Sequence, residues 1–196
     1  MGIVQDNLFL AEQGCSLLGK DLKKIKMCEL GNQHFQRGFT KHKTGKECFS
    51  FNGIDHTSID INGLDGALPF DLSKPLLDFK DKFDIVTNYG TTEHVSNQYE
   101  VFKNIHNFIR EDGIIVGVSP LHGSWKGHCT FRYHPWFFSM LAEENNYKVY
   151  YYAIKKRNPA RRLLYSHFYI LGKSNDKDFI TLKQFNSING ISGWNK

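Results

Sequence analysis

The chain has 196 residues, of which 40% are hydrophobic and 23% are charged, and its formal net charge at pH 7 is +5. These values are typical of one soluble domain with enough chain to bury a sizeable core. The sequence contains no apolar run near the roughly 20 residues that a membrane span needs, and its first ten residues lack the basic start of a secretory signal. We therefore expect a cytoplasmic protein without a membrane segment.

The cysteines and the basic residues set further limits on the class of protein. The four cysteines are widely spaced and form no C-x-x-C pair, so we expect reduced thiols and no disulfide framework. The basic residues concentrate in residues 20–26, 41–46 and 155–162 rather than in one long tract. This distribution makes a nucleic-acid partner unlikely, although a phosphorylated metabolite would suit the mild excess of positive charge.

The first half of the chain alternates between helical and extended patterns. Apolar residues recur at helical spacing near the N-terminus, and a short apolar run then ends at Gly31. Turn residues such as Asn52-Gly53 and Asn62-Gly63 separate the segments that follow. The predicted elements of this half are a helix over residues 4–18, strands over 24–30, 56–61 and 67–71, and a helix over 44–51.

The second half contains the clearest strand patterns. A buried strand over residues 83–89 ends at Gly90, and a strand over residues 114–118 ends at Pro120. Residues 121–133 show no periodicity and are predicted to form a loop. The other predicted elements are helices over residues 95–110 and 135–145, antiparallel strands over 147–156 and 163–173, and a polar tail over 174–196.

Alternating strands and helices followed by an antiparallel pair predict an α/β fold with an open, mostly parallel sheet in a single domain spanning residues 1–196. Ligands bind such sheets beyond the carboxyl ends of the strands. Three acidic residues stand at or just before predicted strand ends, namely Glu29, Asp60 and Asp71. A carboxylate there can accept both hydroxyls of a ribose or an adenine amine, so three in succession indicate an adenosyl site.

The stretch from Met27 to Pro120 resembles the class I S-adenosylmethionine-dependent methyltransferases, particularly small bacterial ones that act on small molecules. The similarity is carried by "CELGNQ", "SIDING", "LPFDLS", "FDIVTNYGTTEHV" and "FIREDGIIVGVSP". The resemblance implies a Rossmann-like three-layer sandwich with a seven-stranded, mostly parallel sheet whose last strand is antiparallel. It also implies S-adenosyl-L-methionine as the cofactor and a small-molecule acceptor.

The resemblance also implies roles for individual residues. Glu29 and Gly31 would border the methionine part of the cofactor, and Asp60 would hold the ribose hydroxyls. The remaining cofactor residues would be Asn32 and Gln33 in the first loop, Asp71 and Leu72 at the adenine, and Asn88 and Tyr89 along the methionine. On the acceptor side, the implied substrate-binding residues are Glu93, His128 and Tyr133.

The sequence departs from the family pattern in three places, one of which is the 31-residue separation of Glu29 and Asp60, longer than the family's usual spacing. The first motif has one glycine, with Asn32 and Gln33 where more glycines are usual. Only 11 residues separate Asp60 from Asp71, which leaves no room for the helix that normally lies between those strands. These departures leave open a second function, that of a catalytically degenerate partner subunit with a methyltransferase fold.

Histidines near predicted strand ends are the candidate general bases for a hydroxyl acceptor, because imidazole titrates near neutral pH. His94 follows the fourth predicted strand and is the first choice, and His122 is the second. His122, His128, Cys129 and His134 match no zinc-site spacing, so no metal is predicted. A nicotinamide-dependent oxidoreductase is a further alternative, but "ELGNQHF" lacks the G-x-G-x-x-G turn that a pyrophosphate needs.

Overall fold

The computed structural model describes residues 3–36, 40–156 and 164–193. Helices and strands alternate along most of this length, as the sequence predicts. The helices are α1 (Gln5–Leu17), α2 (Gly45–Phe51), α3 (Gln98–Phe108), α4 (Phe137–Glu144) and α5 (Leu182–Ser187). The strands are β1 (Lys26–Leu30), β2 (Asp55–Ile59), β3 (Phe83–Tyr89), β4 (Ile109–Pro120), β5 (Phe131–Tyr133), β6 (Tyr147–Lys156), β7 (Tyr165–Lys173) and β8 (Ile191–Gly193).

Six of the strands form one sheet in the order β2-β1-β3-β4-β7-β6. Strands β2, β1, β3 and β4 are mutually parallel, whereas β7 runs antiparallel to both β4 and β6. Strand β6 is therefore parallel to the first four. The predicted mostly parallel sheet with an antiparallel last strand is confirmed, and the carboxyl ends of five strands meet at one edge.

Helices cover both faces of this sheet and make a three-layer sandwich. Helices α1 and α2 pack on one face through a cluster that includes Leu10, Phe49 and Val116. Helices α3, α4 and α5 cover the other face, where Phe102, Phe138 and other aromatic rings stack on β4 and β7. Strand β3 is buried along its whole length because both of its faces are covered, although it includes the polar residues Asp84, Thr87 and Asn88.

The predicted third strand over residues 67–71 is wrong. This segment makes a single parallel bridge, from Leu68 to Ile59 at the end of β2, and then turns away. A parallel crossover needs about a dozen residues, and the 11 from Asp60 to Asp71 must also include the strand itself. The sheet consequently has six strands instead of seven, and β2 is its edge strand.

Two predictions for the C-terminal part are also wrong. The predicted loop over residues 121–133 ends in β5, and the predicted polar tail contains α5 and β8. Strands β5 and β8 pair with each other, with Arg132 opposite Ser192, so their pairing depends on contacts between distant parts of the chain. Helix α5 begins with a capping box between Thr181 and Gln184, a T-x-x-Q signal that is visible in the sequence.

The sequence predicts no membrane-spanning segment, and the helices can be compared with that prediction. Within residues 3–36, 40–156 and 164–193, no helix combines the length and apolar character needed to cross a bilayer.

Candidate active site

A cleft of about 520 Å³ opens at the carboxyl ends of β1, β2 and β3. This volume is in the range of small-molecule sites in proteins. The loops that follow the three strands supply its walls, and the segment around Asp71 closes one side. The predicted site residues that line it are Gly31, Asn32, Gln33, Asp60, Asp71, Leu72 and His94.

The turn after β1 brings backbone to the surface of the cleft. Gly31 has a φ of +83°, a conformation that glycine adopts without the steric cost of a side chain. A Cβ at this position would lie 2.6 Å from Thr91 Oγ1 and 2.8 Å from Gln33 Nε2. The side-chain amide of Gln33 donates to Thr91 Oγ1, and the Thr91 hydroxyl donates to the carbonyl of Leu30. One glycine is therefore required for this loop to pack against the loop after β3.

Asp60 and Asp71 face the same cleft from different segments. Asp60 Oδ2 accepts a hydrogen bond from the Asn32 amide at 2.8 Å, and its Oδ1 accepts one from the Asn62 amide at 2.9 Å. These two bonds fix the carboxylate and leave acceptor capacity on both oxygens. Asp71 Oδ1 accepts from the Ser73 amide, and hydrogen bonding to Ser73 lowers the pKa of Asp71 below its ordinary value. Asp71 is consequently an anionic acceptor at neutral pH.

Glu29 does not line the cleft, which corrects the expected contact with the methionine part of a cofactor. Its side chain is fully buried on the α1–α2 face of the sheet. There Oε1 accepts hydrogen bonds from the backbone N–H of Gln33 and from the Ser58 hydroxyl. Glu29 Oε2 lies 3.9 Å from Nε2 of the equally buried His56. Burial raises the pKa of Glu29 to about 8, while burial and the charge of Lys46 lower the pKa of His56 to about 3. Both groups are therefore mainly neutral near pH 7, and Glu29 supports the cleft loop from beneath.

Asn88 and Tyr89 also lie beneath the cleft instead of along it. Asn88 Oδ1 accepts from the amides of Thr91 and Thr92, and its Nδ2 lies within hydrogen-bonding distance of Thr92 Oγ1, Ser119 Oγ and Tyr169 OH. This buried amide thus organises the loop after β3. Tyr89 points to the opposite face, where its hydroxyl donates to the Asn7 carbonyl in α1. The expected contacts of both side chains with a cofactor are corrected accordingly, because alternate strand positions face opposite sides.

A row of rings extends from the mouth of the cleft along the loop after β4. His94 lines the cleft, and its ring meets that of His128 edge to face at 5.5 Å. The His128 ring lies 5.2 Å from that of Trp125, whose indole donates to the Tyr165 carbonyl at the start of β7. Partial desolvation and the neighbouring His128 lower the pKa of His94. His94 is therefore a neutral base near pH 7.

Three other predicted residues lie outside the cleft. His122 stacks on His134 at 3.9 Å and hydrogen-bonds Ser192 through Nδ1, so it sits beside β8. Tyr133 is fully buried and donates to Thr92 Oγ1 and Gln98 Oε1. Glu93 is buried on the same side, where burial first and the charge of Glu93 second raise the pKa of Tyr133. Their expected catalytic and substrate-binding roles are corrected, because tertiary packing turns them away from the opening.

The structure adds residues that the sequence reasoning missed. Ile59, Ile61 and Phe70 supply apolar surface between Asp60 and Asp71. Thr91 couples the loops after β1 and β3, as described above. The position of Thr91 after the predicted strand over residues 83–89 was an available signal, whereas the three apolar residues fall within predicted strands. Within the described residues, no group of three or more histidine, cysteine or acidic side chains is arranged to hold a metal ion.

The fold is similar to solved methyltransferase structures. The 1,6-didemethyltoxoflavin-N1-methyltransferase of Burkholderia thailandensis, solved with 1,6-didemethyltoxoflavin and S-adenosylhomocysteine, has a TM-score of 0.62 and 14% identity, over 87% of this chain and 79% of that chain. A putative S-adenosylmethionine-dependent methyltransferase of Listeria monocytogenes gives 0.57 and 12%, over 86% and 99%. Geranyl diphosphate C-methyltransferase of Streptomyces coelicolor gives 0.57 and 9%, over 85% and 78%. No family model and no curated protein sequence matches the chain.

These similarities and the sheet order define the class of the fold. The protein has the Rossmann-like fold of class I S-adenosylmethionine-dependent methyltransferases, with a cleft at the strand ends where such sheets bind ligands. The expected fold class is confirmed. Because the sequence identities are only 9–14%, the structural similarity establishes the architecture alone. The activity has to be inferred from the chemistry of the cleft residues.

Proposed function

We propose that this protein is a single-domain S-adenosylmethionine-dependent methyltransferase. It transfers a methyl group to a small polar acceptor, which we infer to be a hydroxyl of a sugar or a phosphorylated metabolite. The observation that carries the proposal is one cleft in which Gly31, Asp60, Asp71 and His94 meet within a methyltransferase fold. The cleft residues suit an adenosyl group because they combine exposed backbone, two anionic acceptors and apolar surface.

Each wall of the cleft has a proposed part in holding the cofactor. The remaining acceptor capacity of Asp60 would take the ribose hydroxyls, and Asp71 with Leu72 would face the adenine. The apolar side chains of Ile61 and Phe70 would cover the adenine faces. Gly31, with Asn32 and Gln33, would let the methionine part approach the backbone. Glu29 and Asn88 are positioning residues, because they hydrogen-bond the loops that form these walls.

His94 is the proposed general base. Bound S-adenosylmethionine supplies an activated methyl group on a sulfonium, so the protein mainly aligns the acceptor with that methyl. Alignment of this kind contributes about 7–11 kcal/mol in well-oriented model reactions. As the acceptor oxygen forms its bond to the methyl carbon and the carbon–sulfur bond breaks, His94 takes the hydroxyl proton. Its lowered pKa keeps the ring available as a base near pH 7.

The ribose assignment is tested by Asp60→Asn, measured by calorimetric titration with S-adenosylhomocysteine. We expect affinity to fall about tenfold or more, because hydrogen bonds to a charged acceptor contribute about 1.5–3 kcal/mol. The matched control is Asp78→Asn, which removes the same charge from an exposed site outside the cleft. Equal affinities of the two variants, with unchanged melting temperatures, would remove the Asp60 assignment. No binding of either S-adenosylmethionine or its demethylated product to the folded wild type would end the proposed function.

A degenerate partner subunit is the alternative function, and the missing third strand is the observation that favours it. That function predicts cofactor binding without methyl transfer to any of a broad panel of acceptors. The two functions therefore separate at the transfer step, which is followed by the appearance of S-adenosylhomocysteine. Transfer that disappears in His94→Gln while cofactor affinity is retained would favour the enzyme.

A further inference from the structure

The positive charge of this protein is concentrated in one hairpin. Residues 147–173, which include β6 and β7, contain seven lysines and arginines and no aspartate or glutamate. The other residues contain 18 of the chain's 25 basic residues and all 20 acidic residues. Five of the seven basic residues fall within residues 155–162, at the end of β6 and in the connection to β7. The net charge of +5 therefore arises from this hairpin, mostly from one end of it.

The topology places Lys155 and Lys156 at the same edge of the sheet as the cleft, with β4 and β7 between β6 and the cleft strand β3. Strand β6 is parallel to β4, so its last residues, Lys155 and Lys156, lie at the same edge of the sheet as Pro120 and the cleft. Both lysines are exposed. In the register of the hairpin, Lys155 is opposite Ser166 and Lys156 is opposite Tyr165. The other end of the hairpin holds Lys148 and the buried Lys173, whose ammonium contacts Asp81.

A series of contacts runs from the proposed base His94 to Tyr165, which is the strand partner of Lys156. Tyr165, the partner of Lys156, accepts the indole hydrogen bond of Trp125 through its carbonyl at 2.9 Å. The Trp125 ring contacts that of His128, which contacts that of His94, at centroid distances of 5.2 and 5.5 Å. An acceptor with its hydroxyl at His94 could follow this row of rings and reach the hairpin with its other end.

Lys155 is held in place on this surface. Its ammonium lies 5.3 Å from the ring centroid of Tyr151, and hydrogen bonding to that phenol, together with the charge of Asp6, raises its pKa. Asp6 is the acidic group that contributes to this shift, and it belongs to the first turn of α1. A fixed cation at an exposed edge loses less conformational freedom on binding an anion than a freely rotating lysine does.

We infer that the acceptor carries a phosphate or diphosphate group, which the cleft end of the β6–β7 hairpin holds through Lys155 and Lys156 while the methylated hydroxyl lies at His94. This inference rests on the proposed function, whose acceptor class it narrows from polar metabolites in general to phosphorylated ones. Phosphate oxygens accept charge-assisted hydrogen bonds from lysine ammonium groups, an interaction that a neutral sugar does not offer. The phosphate could belong to a small molecule or to a nucleic acid, and the experiment distinguishes the two.

The test uses inorganic pyrophosphate, uridine diphosphate and a single-stranded RNA oligonucleotide as probes of the full chain at low salt. We expect both diphosphates to bind and to shift the NMR resonances of the His128 ring and the Trp125 indole. In the double variant Lys155→Gln/Lys156→Gln, diphosphate affinity should fall about tenfold, because two exposed ammonium groups no longer donate charge-assisted hydrogen bonds to the phosphate oxygens. The control Lys148→Gln/Lys183→Gln removes the same charge from exposed positions elsewhere and should bind like the wild type.

Three results would overturn the inference: no diphosphate binding, equal weakening in both double variants, or binding of the RNA alone with a salt dependence that indicates many phosphate contacts. Titration of the same proteins with S-adenosylhomocysteine keeps the two proposals apart. Loss of diphosphate binding with intact cofactor binding contradicts only the acceptor class. Absence of cofactor binding contradicts the proposed methyltransferase, whatever the diphosphates do.

Discussion

Replacing Gly31 with alanine tests the requirement for a single glycine in the loop after β1. The residue has a φ of +83°, and an L-residue in this region of conformational space costs about 1–2 kcal/mol. The new Cβ would lie 2.6 Å from Thr91 Oγ1 and 2.8 Å from Gln33 Nε2, closer than real Cβ contacts allow. The loops after β1 and β3 would have to separate.

The separation has its own cost. It breaks or lengthens the hydrogen bonds from Gln33 to Thr91 and from Thr91 to the Leu30 carbonyl, each of which contributes about 0.5–1.5 kcal/mol. Together with the cost of the backbone conformation, these losses should lower the free energy of unfolding by about 2–5 kcal/mol. Because Gly31 lines the cleft, affinity for S-adenosylhomocysteine should fall as well.

The control is Gly19→Ala. Gly19 also has a positive φ, +61°, but a Cβ there would meet nothing within 4 Å. The Gly19→Ala protein should therefore lose only the roughly 1–2 kcal/mol that the backbone conformation costs, and it should retain its affinity for S-adenosylhomocysteine. Urea unfolding followed by far-UV circular dichroism, together with calorimetric titration, measures both quantities. A Gly31→Ala protein no less stable than Gly19→Ala would refute the argument from close packing.

Two further predictions concern groups beneath the cleft. Glu29 has an ordinary pKa of 4.5 and a native pKa of about 8, so between these values the native state holds a proton that the unfolded state has lost. Its contribution to stability should therefore decrease as pH rises through this window. The Glu29→Gln variant should show a flatter pH dependence of the free energy of unfolding in urea between pH 5 and 8. The same pH dependence in the variant and the wild type would contradict this. Asn88→Ala should lower the free energy of unfolding by about 2–4 kcal/mol, because it leaves buried polar partners without a hydrogen bond. The control Asn186→Ala, at an exposed position, should change the free energy of unfolding by less than about 0.5 kcal/mol. Equal stability losses in the two asparagine variants would show that the buried amide is not needed.

The fold class could be predicted because it depends on local patterns. Strand β3 was identifiable from the apolar residues Phe83, Ile85 and Val86 and from the Gly90 that follows, although it also contains polar residues. The antiparallel pair β6–β7 was likewise predicted from its β-rich composition and the turn residues between the two strands. Strands β5 and β8 were not, since each has three residues and is stabilised by a partner about 60 residues away. Short strands of this kind carry too few residues for a periodic signal.

The sequence by itself determined that Glu29 and Asp60 stand at the ends of two strands, that Gly31 closes the first strand, and that too few residues separate Asp60 from Asp71 for a helix. Only the tertiary structure decided which side chains face the cleft. Glu29 and Ser58 occupy paired positions in β1 and β2, and both turn to the α1–α2 face, whereas Asp60 lies past the last residue of β2 and reaches the opening. The reason is that strand positions alternate between two faces, and the sequence does not say which face a distant helix or loop will cover.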